Sequence, residues 1–325
     1  MAGEVVTPLP STTGSVAPYR PDLVSGVVLE AADLGRTASF YEPIFRWTGG
    51  HWIAGSRTLA YEASRQRIEF VQRGRPRTLP DSGHHQAFRV PADDLQTVVG
   101  VLERAGHHVD WWHEDHPSER GLSPYLHDPA GNRVQLVPAE GGDVLLDHGV
   151  FEVHDIEHAE LFYVHALGGE ASFDCGWSVD DYQGLEGWMA GDDPAAPWTR
   201  RINYSYRDHL PEPLVNPQVY LSFGPTRLGF FLTAVHRQEP PPFQVKGTPR
   251  TVLHTHCPAD DVEEHLATVP VTPIALNYPG GRVAYERGGD HFFLRDPSGH
   301  FLELVSEGYS RPDAASGSRP AVTPR

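Results

Sequence analysis

The chain reads as an α+β protein built by duplication, and three repeated segments carry that reading. Gly26-Val-Val-Leu-Glu-Ala-Ala-Asp-Leu34 leads to Phe40-Tyr41, and His148-Gly-Val-Phe-Glu-Val-His-Asp-Ile156 leads to Phe162-Tyr163, 122 residues further on. Pro91-Ala-Asp-Asp94 recurs as Pro258-Ala-Asp-Asp261. Asp128-Pro-Ala-Gly-Asn-Arg-Val-Gln-Leu136 recurs as Asp296-Pro-Ser-Gly-His-Phe-Leu-Glu-Leu304. Self-similarity at a sustained spacing marks a repeated structural unit rather than a shared composition.

Each repeat predicts its own element. The first alternates apolar residues as a strand does, then runs into an amphipathic helix with Ile156, Ala159, Phe162, Tyr163 and Leu167 near one face. The second is another strand-to-helix passage, whose helices carry Leu95, Val98, Val99 and Leu102 in one copy and Val262, Leu266 and Val269 in the other. The third places Pro and Gly where a tight turn between two strands needs them, so both copies read as hairpins at the end of a sheet. The order is therefore strand, helix and further strands, four times over. Residues 21–140 form an N-terminal module pair and residues 144–309 a C-terminal one, with the seam in the Gly-rich stretch at 140–143.

The spacing between repeats grows from 122 to 167 between Tyr163 and Pro258, which assigns an insertion to about 172–215. Its Trp177, Trp188 and Trp198 are too apolar for a solvated linker, and a subunit-contacting arm or a lid over a pocket fits them equally. A homo-oligomer is compatible with the first of these. Residues 1–20 and 310–325 are rich in Pro, Ser, Thr, Ala and Gly, the composition of disordered tails.

Composition narrows the function. With 43 Asp and Glu against 26 Lys and Arg, the formal charge of −17 repels phosphate backbones and anionic lipid, so neither nucleic acid nor a membrane is expected as a partner. A small molecule is. Only Cys175 and Cys257 occur, and no basic segment followed by an apolar one opens the chain, which together predict a cytoplasmic protein without a disulfide framework. No Gly-x-Ser-x-Gly elbow and no phosphate-cradling glycine loop is present. The 19 histidines are a compositional excess, although many of them are expected at the surface.

The strand opening at His148, the helix ending Phe162-Tyr-Val-His-Ala-Leu-Gly168 and the closing stretch Phe292 to Leu304 resemble the vicinal oxygen chelate superfamily, which includes glyoxalase I, bleomycin- and fosfomycin-resistance proteins and type I extradiol dioxygenases. The resemblance covers about Leu23 to Ser306 without the insertion. It implies paired βαβββ modules, each pair curling a mixed sheet into a cup, and a metal only in the C-terminal cup, as in two-domain extradiol dioxygenases.

The resemblance also implies a ligand set: a residue at the start of one opening strand, another on the matching strand of the next module, and a glutamate on the last strand. His148 and His254 each stand eight residues before the first buried position of their helices, and Glu303 lies on the closing strand, so these three are the expected metal ligands. His256 has the same strand parity as His254 and is the rival second ligand. Anchoring on Pro-Ala-Asp-Asp instead sets Val252 against His85 and His254 against Ala87, a shift of two residues. The equivalent places in the first half are Gly26, His85 or Ala87, and Gln135, a set expected to hold no tight metal.

Two imidazoles and a carboxylate suit non-haem Fe(II), with Zn(II) or Mn(II) as alternatives. The implied activity is that of a ring-cleaving dioxygenase acting with dioxygen on a catechol-like aromatic or another oxygen-chelating molecule, with His236, His256 and Tyr285 as candidate acid–base groups. Phe293 and Ala284 stand where extradiol enzymes usually carry tyrosine and histidine, so a metal-dependent isomerase, lyase or hydrolase and a small-molecule sequestering protein remain the competing readings.

Overall fold

A computed structural model describes residues 20–78, 84–113, 122–140, 145–154, 156–178, 214–232, 244–269 and 282–309. Four βαβββ modules follow one another. The first comprises β1 (Pro21–Ala31), α1 (Leu34–Phe45), β2 (His51–Ala54), β3 (Thr58–Ala63) and β4 (Gln66–Gln72). The second comprises β5 (His85–Pro91), α2 (Leu95–Arg104), β6 (Val109–His113), β7 (Leu122–His127) and β8 (Arg133–Ala139). The third is β9 (Leu146–Val153), α3 (Ile156–Leu161) running into a π-helical turn (Phe162–Ala166), β10 (Glu170–Ser178), β11 (Leu214–Phe223) and β12 (Thr226–Leu232). The fourth is β13 (Arg250–Thr255), α4 (Ala259–Thr268), β14 (Tyr285–Arg287), β15 (His291–Arg295) and β16 (Phe301–Val305). The two Asp-Pro-x-Gly segments are the β7–β8 and β15–β16 turns, as their turn chemistry predicts.

The modules pair in a way the repeat spacing did not disclose. One eight-stranded sheet has the order β14-β15-β16-β13-β1-β4-β3-β2 and the other β10-β11-β12-β9-β5-β8-β7-β6. The first module is thus joined to the fourth through antiparallel β1 and β13, and the second to the third through antiparallel β5 and β9. The expected division into an N-terminal pair at 21–140 and a C-terminal pair at 144–309 is not the one the strands make. A physical reason lies in the link from Ala139 to Leu146. β8 runs parallel to β5 and β9 antiparallel to it, so the end of β8 and the start of β9 lie at the same end of β5, two strand spacings of about 4.8 Å apart, within reach of a few residues.

The two sheets share one core. Alternation along the central strands turns Val27, Leu29 and Ala31 of β1, Phe88 and Val90 of β5, Phe151 and Val153 of β9 and Leu253 of β13 inward, where the apolar stripes of all four helices join them. The opposite faces carry His85, Ala87, Gln135 and His148 in one sheet and Gly26, Val252, Arg250 and Glu303 in the other.

A matched pair of hydrogen bonds stitches the sheets together and accounts for two of the sequence repeats at once. Tyr41 at the end of the first Phe-Tyr repeat donates to Asp128 Oδ2 at 3.2 Å, and Tyr163 at the end of the second donates to Asp296 Oδ2 at 3.2 Å. Each bond crosses from a helix of one sheet's module to a hairpin of the other's. The second carboxylate oxygens close the turns, Asp128 Oδ1 accepting from the amides of Ala130 and Asn132 and Asp296 Oδ1 from those of Ser298 and His300. Burial pushes the Asp128 carboxyl upward and the Tyr41 phenol well above its ordinary value. Tyr41→Phe and Tyr163→Phe are each expected to cost about 1–3 kcal/mol in denaturant titrations, since a buried carboxylate loses a donor while the packing of the ring is kept.

The insertion expected at 172–215 overlaps strand at both ends, since β10 and β11 are hairpin partners at one edge of the second sheet. Residues 179–213, with Trp188 and Trp198, lie outside the described residues, as do residues 1–19, residues 310–325 and the side chain of Trp177. Among the described residues no helix is long and apolar enough to cross a membrane.

Candidate metal centre

On the face of the second sheet turned away from the common core, pairing lays residues out in rows. Arg227 of β12, His148 of β9, Ala87 of β5, Gln135 of β8 and Tyr125 of β7 are consecutive cross-strand partners. The neighbouring row holds Gly229, Val150 and His85. The methyl of Ala87 is too short to fill the space above it, and three longer side chains lean over it. His85 Nε2 lies 3.0 Å and His148 Nε2 3.1 Å from Gln135 Oε1. All three residues are buried. Tyr125 stands edge-on to His85 and Tyr220 edge-on to His148, with ring centroids 5.2 and 5.9 Å apart.

The two histidines are related by the internal two-fold of the sheet: His85 faces Val150 as His148 faces Ala87. The same operation carries Gln135, opposite Ala87, onto Gly229, opposite Val150. No donor stands there, and the Tyr220 ring fills the space a Cβ would enter. Three donors therefore converge where the symmetry has room for four.

Asp147 orients this group. Its Oδ2 is 2.7 Å from His148 Nδ1, and its carboxylate also accepts from Arg89 Nε at 2.7 Å and from an Arg227 guanidinium nitrogen at 2.9 Å. Burial pushes the Asp147 carboxyl upward, but His148, Arg89 and Arg227 outweigh it and hold it well below the usual carboxylate range. A proton on Nδ1 of a neutral His148 leaves the Nε2 lone pair aimed at the Gln135 oxygen, an arrangement of facing acceptors that a cation between them relieves. A carboxylate behind a ligating imidazole is also the usual outer partner in metal sites. The residues present fit a divalent ion.

The expected ligands His148, His254 and Glu303 are not brought together. His148 belongs to the second sheet, and His254 and Glu303 to the first. Glu303 Oε2 accepts from Arg250 Nε at 2.7 Å, and His291 Nδ1 lies 3.2 Å from its Oε1. His254 Nδ1 and His256 Nε2 each lie 2.7 Å from an oxygen of Asp22. The three potential donor atoms of Asp22, His254 and His256 fall within 4.8 Å of one another. Arg65, however, places a guanidinium on the same carboxylate, and burial of Asp22 is outweighed by Arg65 and His254, which hold its carboxyl down. Tyr285 donates to Glu263 Oε1 at 3.3 Å at the sheet edge, away from His148. His236 lies outside the described residues.

Register explains why the first sheet holds no counterpart of the converging donors. Val252 faces Glu303 as Ala87 faces Gln135, which sets Arg250 in the place of His85. Gly26 faces Arg67 as His148 faces Arg227, and a Cβ on Gly26 would meet the Arg67 carbonyl oxygen at 1.9 Å. Glycine and arginine thus stand where the second sheet has its two histidines, and Val28, Val252 and Val305 form a small apolar cluster on that face. The expectation that the set with Gln135 is the metal-free one and the set with Glu303 the metal-bound one is reversed in what the geometry offers.

Sequence reasoning passed over Asp147 and Tyr220. Asp147 had a signal in its position beside His148, but neighbours along a strand ordinarily point to opposite faces. Tyr220 had none.

No family model matches the chain, and no curated protein matches it. Its three-dimensional likenesses include glyoxalase I from Zea mays, at 16% identity and a TM-score of 0.56 over 89% of this chain and 92% of that one, and a "putative dioxygenase" from Bacillus subtilis, at 10% identity and a TM-score of 0.56 over 92% and 88%. The chain has the vicinal oxygen chelate fold, with two sheets each made of two βαβββ modules.

Proposed function

We propose that the protein is a metal-dependent enzyme of the vicinal oxygen chelate type, with one divalent ion held by His85 Nε2, His148 Nε2 and Gln135 Oε1. The convergence of these three atoms, with Asp147 behind His148, is the observation that carries the reading. When bound, the ion supplies a Lewis acid that lowers the pKa of a chelating hydroxyl. The residues around it do the rest. Tyr125 and Tyr220 flank the two imidazoles and suit a flat, oxygen-chelating aromatic molecule. Arg227 and Arg89 hold Asp147 ionised, which keeps the proton of His148 on Nδ1 and its lone pair toward the ion.

Among the reactions open to such a site, that of a dioxygenase on a catechol-like substrate fits best, because Gly229 supplies no fourth donor and three protein ligands leave the rest of an ion's coordination sphere to substrate oxygens and dioxygen. Fe(II) is the ion this chemistry requires. The experiment is to strip the protein, reload it anaerobically with Fe(II), Zn(II) or Mn(II), and follow oxygen uptake against a panel of catechols. Uptake with Fe(II) alone and a stoichiometry near one ion per chain are expected. Turnover that proceeds equally with Zn(II) and without oxygen would assign an isomerase, lyase or hydrolase instead.

A further inference from the structure

The inner faces of the two sheets do not close on each other everywhere. A cavity of about 240 Å³ remains between them, beside the two hairpin turns. Val27 and Leu29 of β1 and Phe151 of β9 form apolar walls. His84 and His300 add a flat aromatic surface: their rings stack with centroids 5.7 Å apart and 18° between planes, and Phe151 lies 4.8 Å from His300. The His300 ring is held in place through its Nε2, 2.7 Å from the Glu152 carbonyl.

Two further features point to a ligand. Gln86 lines the cavity and is 3% exposed, and among the described residues its Oε1 has no hydrogen-bond partner, a costly state for a buried amide. A hydroxyl, which can donate or accept, would satisfy that amide in either orientation. The second feature is charge. Arg77, Arg133 and Arg250 all line the cavity, but the Arg250 guanidinium is held by Glu303 and that of Arg133 lies over the Tyr125 ring, which leaves Arg77 as the cation for a ligand among the described lining residues. Arg77 is exposed, as a residue at a rim would be. A guanidinium at the mouth of a largely apolar cavity draws an anion.

We propose that this cavity is a second small-molecule site, distinct from the face that carries His85, Gln135 and His148, and that it takes a hydroxylated aromatic carboxylate. The hydroxyl meets Gln86, the ring lies against Phe151 and the stacked histidines, and the carboxylate turns toward Arg77 at the rim. The volume suits a single ring with small substituents. The assignment does not depend on the metal centre, since Gln86 and His85 point to opposite faces of β5.

Calorimetric titration of the full-length protein with 4-hydroxybenzoate tests it, beside benzoate, which lacks the hydroxyl, and 4-hydroxybenzyl alcohol, which lacks the carboxylate. One saturable site per chain is expected, with both comparison molecules at least tenfold weaker. Gln86→Leu should erase the preference for 4-hydroxybenzoate over benzoate, Leu29→Trp should fill the cavity and abolish binding, and His148→Ala should leave binding unchanged. Absence of saturable binding would mean that ordered water satisfies Gln86 and would overturn the proposal. So would loss of binding in His148→Ala, which would move the ligand to the other face, or an unaltered preference in Gln86→Leu.

Discussion

His148→Ala and His85→Ala should each reduce bound metal from about one ion per chain to a trace and take turnover with it, while His254→Ala, His256→Ala and Glu303→Gln leave both in place. The expectation rests on the shared target of the two imidazoles, 3.0 and 3.1 Å from one amide oxygen, and on the guanidinium groups that already occupy the other carboxylates, Arg65 on Asp22 beside His254 and Arg250 on Glu303. Losing one of three protein ligands should weaken affinity by roughly a hundredfold or more. Asp147→Asn should be milder, about ten- to a hundredfold, as for other partners that orient a ligand without touching the metal. Gln135→Glu should work in the opposite direction, since an anionic oxygen in place of a neutral one tightens binding of a hard or borderline cation. Metal analysis after dialysis, with circular dichroism to show that the fold is kept, reads all of these. Retention of metal in His148→Ala together with its loss in Glu303→Gln would restore the triad that the sequence alone suggested.

That contrast shows where sequence reading reached its limit. The repeats announced the βαβββ modules, their helices and both hairpins because each depends on local pattern: alternation, helical periodicity and turn residues within about ten positions. Which module joins which depends on pairing between β1 and β13, more than 200 residues apart, and nothing local distinguishes that from β1 with β5. Four copies of one unit make the ambiguity inherent. The misplaced ligands follow from it, since His148 has Gln135 as its neighbour in one pairing and Glu303 in the other. Register added a second error. Arg250 stands two residues further from Pro258 than its equivalent His85 stands from Pro91, so counting back from Pro-Ala-Asp-Asp set Val252 against His85, whereas the ladders set Arg250 there. The chemistry was nevertheless legible in part, because His148, His85, Gln135 and Gly26 were all marked as equivalent positions, and only their grouping changed.

The Arg250–Glu303 pair offers the sharpest check on that grouping, because the two assignments of Glu303 predict opposite effects of removing the arginine. Glu303 is 2% exposed and its carboxylate accepts a charge-assisted hydrogen bond from Arg250 at 2.7 Å, with His291 at 3.2 Å on the other oxygen. If the pair is structural, Arg250→Met removes the cation that offsets burial of a carboxylate, and the protein should lose about 3 kcal/mol in denaturant titrations at neutral pH. The double substitution Arg250→Met, Glu303→Leu should recover most of that loss, since both members of a buried ion pair can be exchanged for apolar groups at little cost. Metal content should be the same in all three proteins. Were Glu303 instead a metal ligand, Arg250 would compete with the ion for its oxygens, and Arg250→Met would raise metal affinity while Glu303→Leu abolished it. A stability loss repaired by the double substitution, at constant metal content, therefore excludes the first sheet as the metal centre without any knowledge of the substrate.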